Sequence, residues 1–121
     1  MDLYRQKILD HYRHPRHFGT LERPTHHAHA DNPLCGDAVE LQLRVTRGVV
    51  RDVAFRGEGC AISTAATSLL ASALAGLTTA RARRLSAESV LALLGTPISP
   101  ARRTCALLGW TALRTALGEP R

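Results

Sequence analysis

With 121 residues, a 45% apolar composition and no apolar run near the roughly 20 residues of a membrane helix, the chain has the material for one compact, packed domain. Its net charge of +6 raises nucleic acid as a partner. Against that, the fifteen arginines and one lysine cluster only at Arg81/Arg83/Arg84 and Arg102/Arg103, and five aromatics offer no stacking platform for single strands.

Residues 2 to about 14 predict an amphipathic helix. Asp2 is placed to cap it, Tyr4, Ile8 and Tyr12 recur at one-turn spacing, and Pro15 stops it. The opening Met1-Asp2-Leu3-Tyr4-Arg5-Gln6-Lys7 lacks the apolar core of a signal peptide, so a cytoplasmic location is expected. His11 and His14 lie one turn apart, a metal-binding spacing. Nothing nearby completes a ligand set, and a solvated helix end is the preferred reading. The polar stretch Thr25–Asp31 reads as an edge strand on which His27 and His29 share one face and His26 takes the other. A histidine-bearing surface is preferred there to a dedicated site, with an accessory role beside Cys35 left open.

Over residues 38–46, Val39, Leu41, Leu43 and Val45 alternate with Glu40, Gln42, Arg44 and Thr46, the pattern of a half-buried strand. Arg47-Gly48 suits a tight turn, and a return strand from Val49 to about Arg56 places Arg51, Val53 and Phe55 on one face. A two-stranded ribbon is marginal alone, so helices must cover it. Gly57-Glu58-Gly59-Cys60 then permits a sharp turn and a close backbone approach. Ile62, Ala66, Leu69/Leu70, Ala73 and Leu77 announce a helix directly after it. Cys60 therefore stands at a helix N-terminus, where the dipole and unpaired N–H groups favour a thiolate, with a buried structural cysteine as the alternative. Thr79–Arg84 reads as a helix end and exposed turn, and Ser86 caps a short helix through Leu94. Ser99-Pro100 opens the last helix, with Ala106, Trp110, Leu113 and Leu117 as its apolar stripe and Cys105, Leu108 and Ala112 on an adjoining face. No repeat, linker or low-complexity tract divides the chain, so residues 1–121 are expected to form a single domain.

Three cysteines, an odd number, argue against a disulfide framework, and their wide spacing is not that of local zinc knuckles. In Asn32-Pro33-Leu34-Cys35-Gly36-Asp37, a thiol and a carboxylate flank a glycine, which is half of a metal site. Zinc and iron–sulfur centres want about four ligands, and thiolates with one hard ligand form an acceptable set. Cys35, Asp37, Cys60 and Cys105 supply four if the fold brings them together. Asp37, the hard oxygen in a soft site, is then the ligand expected to leave or be replaced. Zinc ligation both deprotonates and protects a thiol.

These residues match a known pattern. Leu3-Tyr4-Arg5-Gln6, Asp10-His11-Tyr12 and His14-Pro15-Arg16 resemble the N-terminal helix of the U-type iron–sulfur cluster assembly proteins (IscU, SufU and the NifU N-terminal domain). The stretches around Cys35, Phe55-Arg56-Gly57-Glu58-Gly59-Cys60-Ala61-Ile62-Ser63 and Cys105-Ala106-Leu107-Leu108-Gly109-Trp110 resemble the family's three cysteine motifs in order. The resemblance implies an α+β fold, a small antiparallel sheet of about three strands covered by helices, with an N-terminal helix and a C-terminal helical bundle. It also implies that Cys35, Asp37, Cys60 and Cys105 converge on one metal. Thr104 stands where the Isc branch has a His before the third Cys, and Pro97-Ile98-Ser99-Pro100-Ala101-Arg102 does not match that branch's chaperone-recognition segment. The Gly-Glu-Gly-Cys motif, Arg102 and Trp110 resemble the SufU branch, without its insertion between the second and third cysteines.

The expected function is an iron–sulfur cluster assembly protein that accepts sulfur from a cysteine desulfurase (SufS-like or IscS-like). Cys35 is the first acceptor, and Arg102 orients the persulfide, docks the desulfurase, or is a solvated charge. The resting occupant is a zinc ion or a [2Fe–2S] cluster, and the product goes to downstream iron–sulfur acceptor or scaffold proteins. A scaffold and a zinc-dependent sulfurtransferase are both compatible with these residues. The competing readings are a zinc-stabilised basic nucleic-acid-binding domain and a metal-free domain whose cysteines are core residues.

Overall fold

The computed structural model describes residues 3–34 and 36–118. Helix α1 (Leu3–Arg13) is followed by strands β1 (His26–Asn32), β2 (Asp37–Thr46) and β3 (Val49–Glu58). Helices α2 (Ala61–Leu74), α3 (Thr79–Arg83), α4 (Ala87–Leu93), α5 (Pro100–Ala106) and α6 (Leu108–Leu117) complete the order. The strands form one antiparallel sheet, β1-β2-β3, so the α+β expectation holds. None of the described helices is long and apolar enough to cross a membrane.

Alternation along β2 buries Val39, Leu41 and Leu43 on the helix-covered face. The β2–β3 turn holds Arg47 and Gly48 at φ 54° and 72°, the doubly left-handed backbone of a tight hairpin turn. Beyond it the expected phase of β3 is wrong at its start. Register shifts between Arg44 and Val45, with Arg44 opposite Asp52 and Val45 opposite Val50, so Arg51 is an extra, exposed residue. This bulge puts Val50 on the buried face together with Val53 and Phe55. On β1, Ala28 and Ala30 point inward while His27, His29 and Asp31 are exposed.

Helix α2 is apolar nearly all round because it is covered nearly all round. Leu70, Ala71 and Leu74 join the sheet and α6 in the main core. Ile62, Ala65, Ala66 and Leu69 join Ile8 of α1, Leu94 and Ala106 in a second cluster. Leu77, expected on this helix, lies beyond its end, and Val50 N–H donates to its carbonyl. On α1, Ile8 is buried but Tyr12 is 44% exposed, so the expected stripe narrows. The side chain of Tyr4 and the whole of Asp2 lie outside the described residues. Ser86 caps α4 in a reciprocal box with Ser89.

The single last helix expected from Ser99 onward is two. Leu107, at φ −99° and ψ 5°, breaks it, and its N–H is shared between the Arg103 and Thr104 carbonyls. The break lets α5 lie on α2 while α6 turns onto the sheet. Ala106 therefore belongs to the second cluster. Trp110 is half-buried, with its Nε1–H donating to the Leu85 carbonyl at 2.8 Å and Arg114 stacked 4.8 Å above the ring.

Candidate metal centre

Segments far apart in sequence end at one corner. Strand β2 opens on Asp37, and its partner β3 closes at Glu58, with Ala38 opposite Glu58. Gly57 makes that pairing possible, since a Cβ there would collide with the Ala38 carbonyl oxygen and crowd the Val39 Cα. The chain then enters α2 with Cys60 as N-cap, in extended backbone at φ −71° and ψ 170°. Cys105 arrives from the last turn of α5.

The ligand atoms of Asp37, Cys60 and Cys105 all lie within 4.8 Å of one another. Asp37 (5% exposed) and Cys105 (7%) are buried, whereas Cys60 is exposed, so the corner is closed toward the core and open outward. Asp37 Oδ1 accepts the Cys60 backbone N–H at 3.2 Å. Its Oδ2 is buried with no hydrogen-bond partner among the described residues. A buried carboxylate oxygen left unpaired is costly, and a cation is the partner that removes the cost. Zinc bonds of about 2.0–2.3 Å place tetrahedral ligand atoms roughly 3.5 Å apart, so small side-chain rotations would close these three on one ion. The donor set therefore fits zinc, and two thiols with a carboxylate fit iron equally well.

Cys35, the expected fourth ligand and first sulfur acceptor, belongs to the connection between Asn32 and Asp37 and lies outside the described residues. Asn32 was not singled out by its type, yet it organises this loop. Its Oδ1 accepts the Leu34 N–H at 3.1 Å, its carbonyl accepts the Gly36 N–H at 2.8 Å, and its Nδ2 faces Cys105 Sγ at 3.9 Å. The Asn-Pro start of the motif is the signal that would have found it, as an Asx turn. Gly36 holds φ 76°, a left-handed conformation that a glycine adopts without strain.

The other expected residues fall as follows. Arg102 is exposed on the first turn of α5, with no side-chain hydrogen bond or ion pair to another described residue. Thr104 is exposed beside Cys105. His29 stands opposite Glu40, three rungs along the ladder from the Asn32–Asp37 pair, so the histidine face of β1 is separate from the corner. Among the described residues, neither His11 nor His14 belongs to a group of three or more ligand side chains that could hold a metal ion. The His11 ring bonds Ser68 Oγ through Nδ1 at 2.7 Å, and burial holds its pKa below the ordinary 6.5.

Residues 3–119 match the family model described as the NifU-like N terminal domain. The zinc-dependent sulfurtransferase SufU of Bacillus subtilis is 34% identical, over 97% of this chain and 90% of that protein. The iron–sulfur cluster assembly scaffold protein IscU of Streptococcus pyogenes is 31% identical, over 95% and 82%. Among solved structures, a candidate cluster assembly scaffold protein for the SUF system of Fervidobacterium islandicum superposes with a TM-score of 0.79 at 26% identity, covering 93% of this chain and 94% of that one.

Proposed function

The chain belongs to the NifU-like N-terminal domain family, and from that membership and the corner of Asp37, Cys60 and Cys105 we infer that its work is iron–sulfur cluster assembly. The observation that carries the reading is the convergence of two thiols and a buried carboxylate whose Oδ2 has no described partner. Cys35 completes the set as fourth ligand. Zinc held by these residues keeps the thiols deprotonated and shielded until a donor arrives. Sulfur comes as a persulfide on the cysteine of a desulfurase, SufS-like or IscS-like. A thiolate of this chain, Cys35 first, attacks the outer sulfur. A new S–S bond forms as the donor's S–S bond breaks, and the donor leaves as a thiolate, with no net change in electrons. Asp37, the hard ligand, gives way. Arg102, exposed on α5, orients the incoming persulfide or docks the acidic rim of the desulfurase. The sulfur then passes to a downstream scaffold or acceptor, or is built with iron into a [2Fe–2S] cluster held as cargo. Reduced thiols of this kind suit a cytoplasmic setting.

Nothing supports the nucleic-acid alternative. Arg16, Arg44, Arg56 and Arg103 are paired with Asp10, Asp52, Glu40 and Glu88, Arg83 donates to the Leu117 carbonyl, and Arg114 covers Trp110. The deciding experiment is metal analysis of anaerobically purified protein beside Asp37→Ala, followed by sulfur acceptance from a desulfurase and by iron and sulfide reconstitution. Wild type is expected to carry close to one zinc or one cluster, Asp37→Ala to lose metal faster to a chelator, and Cys35→Ala to accept sulfur at least tenfold more slowly. Protein that holds neither metal nor cluster overturns the reading, and normal acceptance by Cys35→Ala removes the role given to Cys35.

A further inference from the structure

Two helices of this chain begin alike, and only one uses the arrangement its sequence allows. At the start of α4 the N-cap Ser86 is extended (φ −92°, ψ 163°), and Ser89 three residues on accepts the Ser86 backbone N–H through Oγ at 3.0 Å. At the start of α2 the N-cap Cys60 has nearly the same backbone (φ −71°, ψ 170°), and a serine, Ser63, again stands three residues on. Here the Cys60 N–H goes to Asp37 Oδ1 instead. Ser63 Oγ, 1% exposed as a residue, is left with no hydrogen-bond partner among the described residues.

The carboxylate and the hydroxyl face the same gap. A Cβ built on Gly59 would lie 3.0 Å from Ser63 Oγ and 3.4 Å from Asp37 Cγ, so the missing side chain of Gly59 keeps the space between them open. Buried hydroxyls are seldom left unpaired, and one that is needs a reason. We propose that Ser63 is the alternate acceptor for the Cys60 amide. When the Asp37 carboxylate turns away, the Ser63 hydroxyl rotates in and closes the capping box that Ser86 and Ser89 close in α4. Ser63 is thus a positioning residue for the metal corner. It lets Asp37 leave without stranding the N–H beside Cys60, and so lowers the barrier to opening the site. For its metal consequence this rests on the assembly reading, but the exchange of acceptors belongs to the polypeptide alone.

The test has two arms. In metal-free protein, hydrogen exchange of the Cys60 amide is followed in wild type, Asp37→Ala, Ser63→Ala and the double variant. Asp37→Ala is expected to keep Cys60 protected, because Ser63 takes over. The double variant is expected to exchange about tenfold faster, the value of one hydrogen bond. Equal exchange in Asp37→Ala and the double variant overturns the proposal. In the second arm zinc-loaded Ser63→Ala, with Asp37 intact, is mixed with a chromophoric chelator. Release about tenfold slower than wild type is expected, since the open state has lost its acceptor; unchanged or faster release overturns the proposal. Ser89→Ala, which removes the equivalent bond in α4, serves as control. It should lower stability and leave both Cys60 exchange and zinc release unchanged. Wild-type protein that takes up neither zinc nor a cluster would sink the assembly reading, while the exchange arm would still decide the role of Ser63.

Discussion

Asp37 carries two opposed demands. Burial to 5% exposure strips water from its carboxylate, and the Cys60 N–H compensates only Oδ1. The remaining oxygen is kept where a cation can use it. That placement depends on Gly57, whose bare Cα lets β3 pass against the Ala38 carbonyl. Gly57→Ala is therefore expected to cost about 2–3 kcal/mol by overpacking and backbone strain. Urea unfolding of the metal-free variant measures it, and a loss under about 0.5 kcal/mol would show that the strand pair adjusts freely. At this scale much of the site was legible. Gly36-Asp37 and the Gly-Glu-Gly-Cys stretch announce a turn and a ligand by residue type, and Asp37 and Cys60 do meet, whereas Cys35 lies outside the described residues. The part Asn32 plays beside Cys105 was not, because the sulfur comes from 73 positions away and reaches it only through tertiary packing.

Among the elements, α2 is the common wall of both apolar clusters, and its polar residues do the joining. Ser68 is fully buried and accepts the Arg16 N–H at 2.8 Å while bonding His11 at 2.7 Å, which fixes α1 and the chain after it onto α2. Burial first, and then the nearby Arg16 charge, lower the His11 pKa, so the folded protein prefers neutral imidazole. The unfolded chain binds the proton more readily. The stability due to this group is thus present above the ordinary pKa of 6.5 and is lost as pH falls from there through the folded value. Urea midpoints between pH 7.5 and 5 should fall more steeply in wild type than in His11→Gln, and parallel profiles would mean that His11 titrates the same way folded and unfolded. Element types were readable from periodicity and caps, whereas two boundaries were not. The Arg51 bulge leaves an alternating pattern that looks unbroken from inside β3. The break at Leu107 lies between two good helix formers, Ala106 and Leu108, and what bends it is the need to cover α2 and the sheet at once.

For the whole molecule, the corner is where the end of the central strand, the head of α2 and the tail of α5 meet, so a metal bound there ties together three elements distant in sequence. Binding to the folded chain alone stabilises it in proportion to the logarithm of metal over its dissociation constant, about 2.7 kcal/mol at a hundredfold excess. For a domain of this size, that corresponds to a rise in Tm of about 10 °C. Zinc-loaded and chelator-treated protein should differ by that amount in calorimetry. The gap should shrink for Asp37→Ala and persist for Arg102→Ala, whose side chain pairs with no described residue. Loss of the gap in Arg102→Ala would make that arginine part of the metal's support. A retained gap with impaired sulfur acceptance would assign it to the approach of the donor. A gap within about 2 °C of zero in wild type would mean that the three ligands are assembled by the fold without metal adding to it. Their lability would then reside wholly in Asp37 and the groups around it.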